Sequence, residues 1–154
     1  MAPKGGNHME GVRPSEAESL TSPVRLRSVN LGPAERLQEV LAQFRDRVDG
    51  VRGVAVADRS GLPVASAFAT QANILTVTAM ATMAVQSSQR VYQNLGLQGP
   101  SEVVMVGPDS TVFVHSMSEG QLSVIVVLEG FANMGLVRIE VERLSRELSD
   151  ILGV

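Results

Sequence analysis

Residues 53–68 read Gly-Val-Ala-Val-Ala-Asp-Arg-Ser-Gly-Leu-Pro-Val-Ala-Ser-Ala-Phe. Two apolar runs flank a short polar turn, in which Asp58 and Gly61 lie three residues apart. An aspartate can accept hydrogen bonds from the backbone of its own turn, and a glycine tolerates the left-handed conformation that closes a hairpin with a bulge. The stretch therefore predicts a β-hairpin, with Asp58 as the cap of its turn.

One helix is predicted before this hairpin and another after it. The first begins at Pro33, because proline suits the first helical position, and Gly50 is placed to end it. Its apolar residues recur at helical spacing: Leu37, Val40, Leu41, Phe44 and Val48. The second helix is predicted from about Asn73 to Leu95, with Gly96 as its stop.

Three more strands and a last helix complete the pattern. The strands are predicted at Val103–Val106, Thr111–Met117 and Leu122–Leu128, and the helix at about Met134–Ile151. Four ion pairs at i, i+4 spacing are predicted along the outer face of that helix: Arg138–Glu142, Glu142–Arg146, Arg143–Glu147 and Arg146–Asp150. The order α-β-β-α-β-β-β-α predicts an α/β sandwich, a five-stranded antiparallel sheet with helices on both faces.

The chain divides into an N-terminal arm and one domain. Residues 1–30 contain scattered prolines, glycines and charges without a sustained apolar period, which predicts a disordered arm. Residues 31–154 contain all the periodic segments and are predicted to fold as a single domain.

The second helix has more apolar surface than one sheet can cover. One stripe is expected to face the sheet: Ile74, Val77, Ala81, Ala84, Val85, Ser88, Val91, Tyr92 and Leu95. The N-terminal half has a second apolar face, formed by Leu75, Ala79, Met80, Thr82 and Met83. A helix that is apolar on two sides is buried on two sides, so we expect two copies of the chain to meet there. The alternative is that Met80 and Met83 pack against the first or last helix of the same copy.

The third strand supports the same expectation. Val103, Val104, Met105 and Val106 would form an apolar edge if left unpaired, and proteins usually cover such edges. A two-fold dimer would cover the edge and the helix face together.

Composition argues against several classes of function. The net charge is −3 without a basic stripe, so nucleic acid is not an expected partner. There is no cysteine for a disulfide or a zinc–thiolate site. No apolar run approaches the length needed to cross a membrane, and a cytoplasmic protein is expected. The Gly-Lys-Ser/Thr ending of a P-loop is absent from the sequence, which argues against a nucleotide cofactor bound in that fashion.

No combination of residues predicts catalysis. Asp58, Ser60 and His115 could be imagined as a hydrolase triad, but Ser60 has no nucleophile-elbow pattern around it. His115 lies in the middle of a predicted strand, and a metal site needs several converging ligands. We therefore expect a protein that is not an enzyme, with no catalytic residue, cofactor or metal.

The sequence resembles the Roadblock/dynein light chain family over residues 33–152. The resemblance rests on Gly53-Val-Ala-Val-Ala-Asp58 with Gly61-Leu-Pro-Val-Ala65, and on Ala132-Asn-Met-Gly-Leu-Val-Arg-Ile-Glu140. It implies a profilin-like sandwich that forms a homodimer through an edge strand and the middle helix. It also implies an adaptor, or a regulator of small Ras-like GTPases as in bacteria and archaea.

Two hypotheses about function follow. In the first, the protein is a homodimeric adaptor or regulator of a Ras-like GTPase, which binds the polar C-terminal half of the middle helix: Gln86, Ser87, Gln89, Arg90 and Gln93. Family precedent implies that Arg90 is not an arginine finger. In the second, the chain is a small-ligand sensor or a structural dimer. A sensor needs a pocket between helix and sheet, which Val85, Tyr92 and Phe113 are expected to fill.

Overall fold

A computed structural model describes residues 31–154. Three helices and five strands follow one another in the predicted order, and a short 3-10 turn, Ser118–Gly120, lies between the last two strands. They are α1 (Pro33–Arg47), β1 (Val51–Asp58), β2 (Pro63–Phe68), α2 (Ile74–Asn94), β3 (Glu102–Val106), β4 (Ser110–Met117), β5 (Leu122–Glu129) and α3 (Met134–Leu152). The strands form one sheet in the order β2-β1-β5-β4-β3, and every neighbouring pair is antiparallel. The predicted fold class is confirmed.

The two faces of the sheet are covered very differently. On one face, α1 and α3 enclose a large apolar core with strand residues such as Val54, Val126 and Phe113. On the other face, α2 packs on a smaller cluster of Ala55, Ala57, Ala81, Val114 and Ile125. Side chains in a strand alternate between the two faces, so the central strand β5 and its neighbours β1 and β4 contribute to both cores. This double coverage is why β5 is apolar almost throughout.

The hairpin turn has the predicted cap. Asp58 Oδ1 accepts hydrogen bonds from the backbone N–H groups of Ser60 and Leu62, at 2.9 and 3.0 Å, and from the Ser60 hydroxyl at 2.7 Å. Gly61 has a φ of +91°, which a glycine adopts without strain. These bonds to the ionised carboxylate lower the pKa of Asp58, the bond from the Ser60 hydroxyl contributing most.

Helix ends follow the sequence signals except at α1. Asn73 caps α2 by accepting a hydrogen bond from the Thr76 N–H at 3.2 Å, and Gly96 follows the helix with a φ of +71°. Helix α1 ends at Arg47, three residues before Gly50. Gly50 does adopt a left-handed φ of +88°, but it serves the short link into β1.

The four ion pairs predicted along α3 are not found among the described residues. Arg138 pairs with Glu102 of β3 at 2.8 Å, and Arg143 pairs with Glu140 at 3.6 Å. Glu140 also contacts Arg47 of α1 at 3.1 Å. For Arg138 the prediction was wrong because helical spacing does not show that the sheet brings Glu102 alongside α3. Arg143 pairs with Glu140, three residues earlier, instead of with Glu147. The predicted arm, residues 1–30, lies outside the described residues.

Candidate functional site

The N-terminal half of α2 exposes the apolar face that the sequence predicted. Leu75, Met80 and Met83 are 57%, 59% and 56% exposed. The interpretation that Met80 and Met83 are buried within one copy is therefore wrong for residues 31–154. Ala79 is half-buried beside Gly61 of the hairpin turn, so it lies at the border of this face rather than at its centre. The assignment of Thr82 to this face was wrong, because Thr82 is buried and its side chain lies near Gly61.

Strand β3 is the second part of the predicted self-association surface. Among the residues that the structure describes, β3 pairs with β4 alone, so its other edge is open. Val104, Met105 and Val106 are exposed, and Val106 is 80% so. Val103 differs, because it packs against the apolar cluster beneath α2. An open apolar edge of this kind is a site where another strand can add.

The five residues predicted to contact a partner are all exposed on the C-terminal half of α2: Gln86, Ser87, Gln89, Arg90 and Gln93. Gln89 is oriented by its own chain, since its side-chain amide donates a hydrogen bond to the Pro100 carbonyl at 2.7 Å. None of the ion pairs found among residues 31–154 involves Arg90.

The same half of α2 also exposes apolar residues that were expected to face the sheet. Val91 and Leu95 are 56% and 65% exposed, and Tyr92 is exposed as well. Their helical spacing was correct, but the helix extends beyond the apolar cluster that holds it to the sheet. The spacing of apolar residues cannot show where the sheet beneath a helix ends.

A cavity of about 560 Å³ lies between α2 and the end of the sheet where the β1–β2 and β4–β5 turns meet. Its lining residues come from α2, from the segment after α2, from both turns and from the sheet: Arg59, Thr82, Val85, Gln86, Gln89, Gly99, Pro100, Ser101, Ser116, Glu119, Gly120 and Ser123. The expectation that large side chains fill this space was wrong. Phe113 lies in the core on the other face, Tyr92 is exposed, and Val85 is one wall of the cavity.

His115 belongs to a cluster on the face opposite α2. Its ring stacks on Phe113 at 6.5 Å between centroids, and Arg138 of α3 lies over Phe113 at 5.7 Å while pairing with Glu102. Burial lowers the pKa of His115, and the negative charges of Glu102 and Glu142 oppose that shift. This cluster fastens β3 to α3 and leaves His115 on the opposite side of the sheet from the cavity.

The imagined hydrolase triad is not assembled. Asp58 Oδ1 is engaged by the hairpin turn, and the Ser60 hydroxyl donates to that same oxygen. No group of three or more metal-ligating side chains is found among residues 31–154. In that same part of the chain, none of the helices has the length and apolar character required to span a membrane.

Comparison with known proteins assigns the family. Residues 37–129 match the family described as the Roadblock/LC7 domain. The chain belongs to this family. The match begins within α1 and ends with β5, so it covers the whole sheet and α2.

Individual proteins and solved structures are also similar to the chain. An uncharacterized protein of Methanocaldococcus jannaschii is 31% identical over 98 residues, which are 64% of this chain and 81% of the relative. The gliding protein MglB of Thermus thermophilus superposes with a TM-score of 0.68 at 24% identity, over 77% of this chain and 90% of that one. MglB of Myxococcus xanthus superposes with a TM-score of 0.70 at 16% identity, over 78% and 90%. At these identities the two solved structures show a shared fold.

Proposed function

We propose that this Roadblock/LC7 protein is a cytoplasmic, non-enzymatic homodimer that binds and regulates a small Ras-like GTPase. The observation that carries the proposal is that both halves of α2 expose a surface to solvent. Its N-terminal half presents Leu75, Met80 and Met83, and its C-terminal half presents a polar surface around Arg90. Membership in a family of adaptors and GTPase regulators supports the same function.

Self-association would use the N-terminal half of α2 together with the open edge of β3. Two copies related by a two-fold axis would bring the same face of each copy together. Each exposed methionine would then be covered in both copies, so every contact occurs twice in the dimer. The contact would comprise Leu75, Ala79, Met80, Met83, Val103, Val104, Met105 and Val106. Since Ala79 and Val103 are half-buried in one copy, their part is to allow close approach rather than to supply much apolar area.

Partner binding would use the C-terminal half of α2, at Gln86, Ser87, Gln89, Arg90 and Gln93. In the dimer, two such surfaces are displayed by one rigid body, which suits an adaptor. The exposed apolar residues Val91 and Leu95 beside them would be buried in the complex, as expected for an interface with apolar contacts and a polar rim.

The test is co-purification with the small Ras-like GTPases of the same genome, followed by GTP hydrolysis assays with the wild type and Arg90→Ala. We expect one GTPase to bind, and Arg90→Ala to weaken its binding without abolishing stimulation at saturating protein. Retained binding with complete loss of stimulation would make Arg90 catalytic and contradict the non-enzymatic assignment. Failure of every such GTPase to bind would contradict the proposed partner.

The cavity beside α2 favours a second candidate function, a small-ligand sensor. Its volume lies within the range of about 300–1,000 Å³ that is typical of small-molecule sites. A ligand that binds only the native state raises the melting temperature, so a thermal-shift screen with metabolites separates this function from the first.

A further inference from the structure

The floor of the cavity departs from the apolar pattern of the sheet face beneath α2. Ser116 of β4 and Ser123 of β5 are cross-strand neighbours, and Ser123 is only 6% exposed. Elsewhere on this face the same strands present Val114 and Ile125 to the core. Two serines in place of core residues lower the apolar burial under α2 and leave space in which hydrogen-bonding groups line the floor.

A wall of the cavity carries an unsatisfied polar group. Thr82 of α2 is buried, and its hydroxyl has no hydrogen-bond partner among the described residues. A buried hydroxyl without a partner destabilises the native state. Because the hydroxyl oxygen itself is closed to solvent, Thr82 makes this wall of the cavity polar without presenting an exposed hydrogen-bonding group.

The rim of the cavity is held in an unusual backbone conformation. Ser118, Glu119 and Gly120 have successive φ values of +52°, +55° and +86°, of which only the glycine is unstrained. Arg59 of the β1–β2 turn donates a hydrogen bond from Nη2 to the Glu119 carbonyl at 3.4 Å. This long hydrogen bond joins the two turns that line the cavity.

The lining defines the chemistry of the occupant. Arg59 and Glu119 offset each other in charge, and the remaining polar groups are hydroxyls, side-chain amides and backbone. Such a lining suits an uncharged occupant with many hydrogen-bonding groups, which is the character of a polar peptide segment. The volume of about 560 Å³ exceeds what one side chain needs.

The surroundings of the mouth favour a protein over a free metabolite. Leu62, in the same turn as Arg59, and Leu97, two residues before Gly99, are each more than half exposed. A small ligand inside the cavity would leave both in water, whereas a protein loop that enters it would bury them. Gln86 and Gln89 belong both to the cavity wall and to the proposed partner surface.

From these observations we infer that the cavity is the receptor for a neutral, polar loop of the protein partner. The inference rests on the proposed function, and it adds the specific contact: the loop enters between α2 and the serine floor and hydrogen-bonds there. The exposed surface of α2 alone would form a flat interface with the partner. A loop held in the cavity would in addition fix the position at which the partner docks.

Two variants of the full chain test it with the GTPase that co-purifies. Ser116→Leu fills the floor from inside without changing the exposed helix surface, and Gln86→Trp closes the mouth. Gln43→Trp, at an exposed position of α1 on the other face, is the matched control. We expect both cavity variants to weaken binding by about tenfold or more, as loss of an interface hot spot does, with the control and the dimer unchanged.

The outcomes distinguish the inference from the proposed function. Equal binding by the wild type and Ser116→Leu would overturn the cavity as receptor and leave GTPase binding intact. A metabolite could raise the melting temperature of the wild type but not of Ser116→Leu, with GTPase binding unaffected. This result would assign the cavity to a small ligand and would also overturn the inference that a partner loop occupies it. Absence of any GTPase binding would overturn both proposals.

Hydrogen exchange of the unmodified complex provides a measurement that does not depend on how the variants fold. We expect the backbone amides of Gly99, Ser101 and residues 118–120 to exchange more slowly in the complex than in the free protein. Unchanged exchange in both segments would contradict the entry of a loop into the cavity.

Discussion

Replacing Met83 with glutamate is expected to separate the proposed dimer into single copies. Met83 is 56% exposed on the apolar face of α2. Full burial of a methionine side chain stabilises by about 1.5–3 kcal/mol, so covering the exposed half contributes about 1 kcal/mol. Because a two-fold axis repeats the contact, the two copies together contribute about 2 kcal/mol.

Glutamate adds a further penalty to the lost contact. Each carboxylate would be desolvated against Leu75 and Met80 of an apolar interface, and the two-fold axis would place like charges near each other. We expect the total loss to reach about 3–4 kcal/mol, which corresponds to a dimer dissociation constant about 100- to 1,000-fold weaker. Sedimentation velocity from nanomolar to micromolar concentration measures this shift directly.

Val91→Glu is the matched control within the same helix. Val91 is also 56% exposed, but it lies eight residues further along α2, in the half assigned to the partner. We expect Val91→Glu to leave the dimer intact. A wild type that sediments as one copy at micromolar concentration would refute the dimer, and equal disruption by both variants would refute the assignment of the contact to the N-terminal half.

Three further outcomes follow from local geometry. Asp58→Ala should lower the melting temperature more than Asp58→Asn, which keeps an acceptor oxygen for the turn; equal melting temperatures would contradict the carboxylate cap. Arg138→Gln should destabilise by about 1 kcal/mol in urea unfolding, because it removes the ion pair with Glu102 and a cation–π contact; an unchanged midpoint would show that the cluster does not fasten β3. Because the pKa of His115 is lowered below its ordinary 6.5 in the fold, the unfolded chain takes up its proton first. The free energy of unfolding should therefore decrease as pH falls from above 6.5 through the pKa that His115 has in the folded protein. His115→Phe should make this free energy less dependent on pH in that range.

The elements predicted well were those specified by nearby residues. The hairpin turn and the start of α2 near Asn73 depend on hydrogen bonds within a few positions of the chain. The predicted α3 pair of Arg138 with Glu142 failed because Arg138 pairs with Glu102 of β3, which is distant in sequence. Local pattern determines an element, whereas its partners depend on the assembled sheet.

The interaction surfaces were predicted only in part, because a local sequence pattern does not show how the elements assemble. A second apolar face on α2 is visible in the sequence because helical spacing is regular, and Met80 and Met83 are indeed exposed. The cavity was missed because it depends on which side of the sheet each strand residue faces. Ser116 and Ser123 provided a usable signal, since each is a polar residue in register with apolar residues that face α2.

The weak attachment of α2 to its own sheet suggests that assembly stabilises the fold itself. Three of the five buried residues in the cluster beneath α2 are alanines, whereas α1 and α3 enclose leucines, valines and phenylalanines. Apolar burial scales with area, so α2 is the helix that depends most on being covered from outside. If a second copy supplies that cover, the melting temperature should rise with protein concentration, since association stabilises the native state by mass action. Met83→Glu should remove this dependence and Val91→Glu should preserve it. A wild-type melting temperature that does not change with concentration would show that α2 is stable without a second copy.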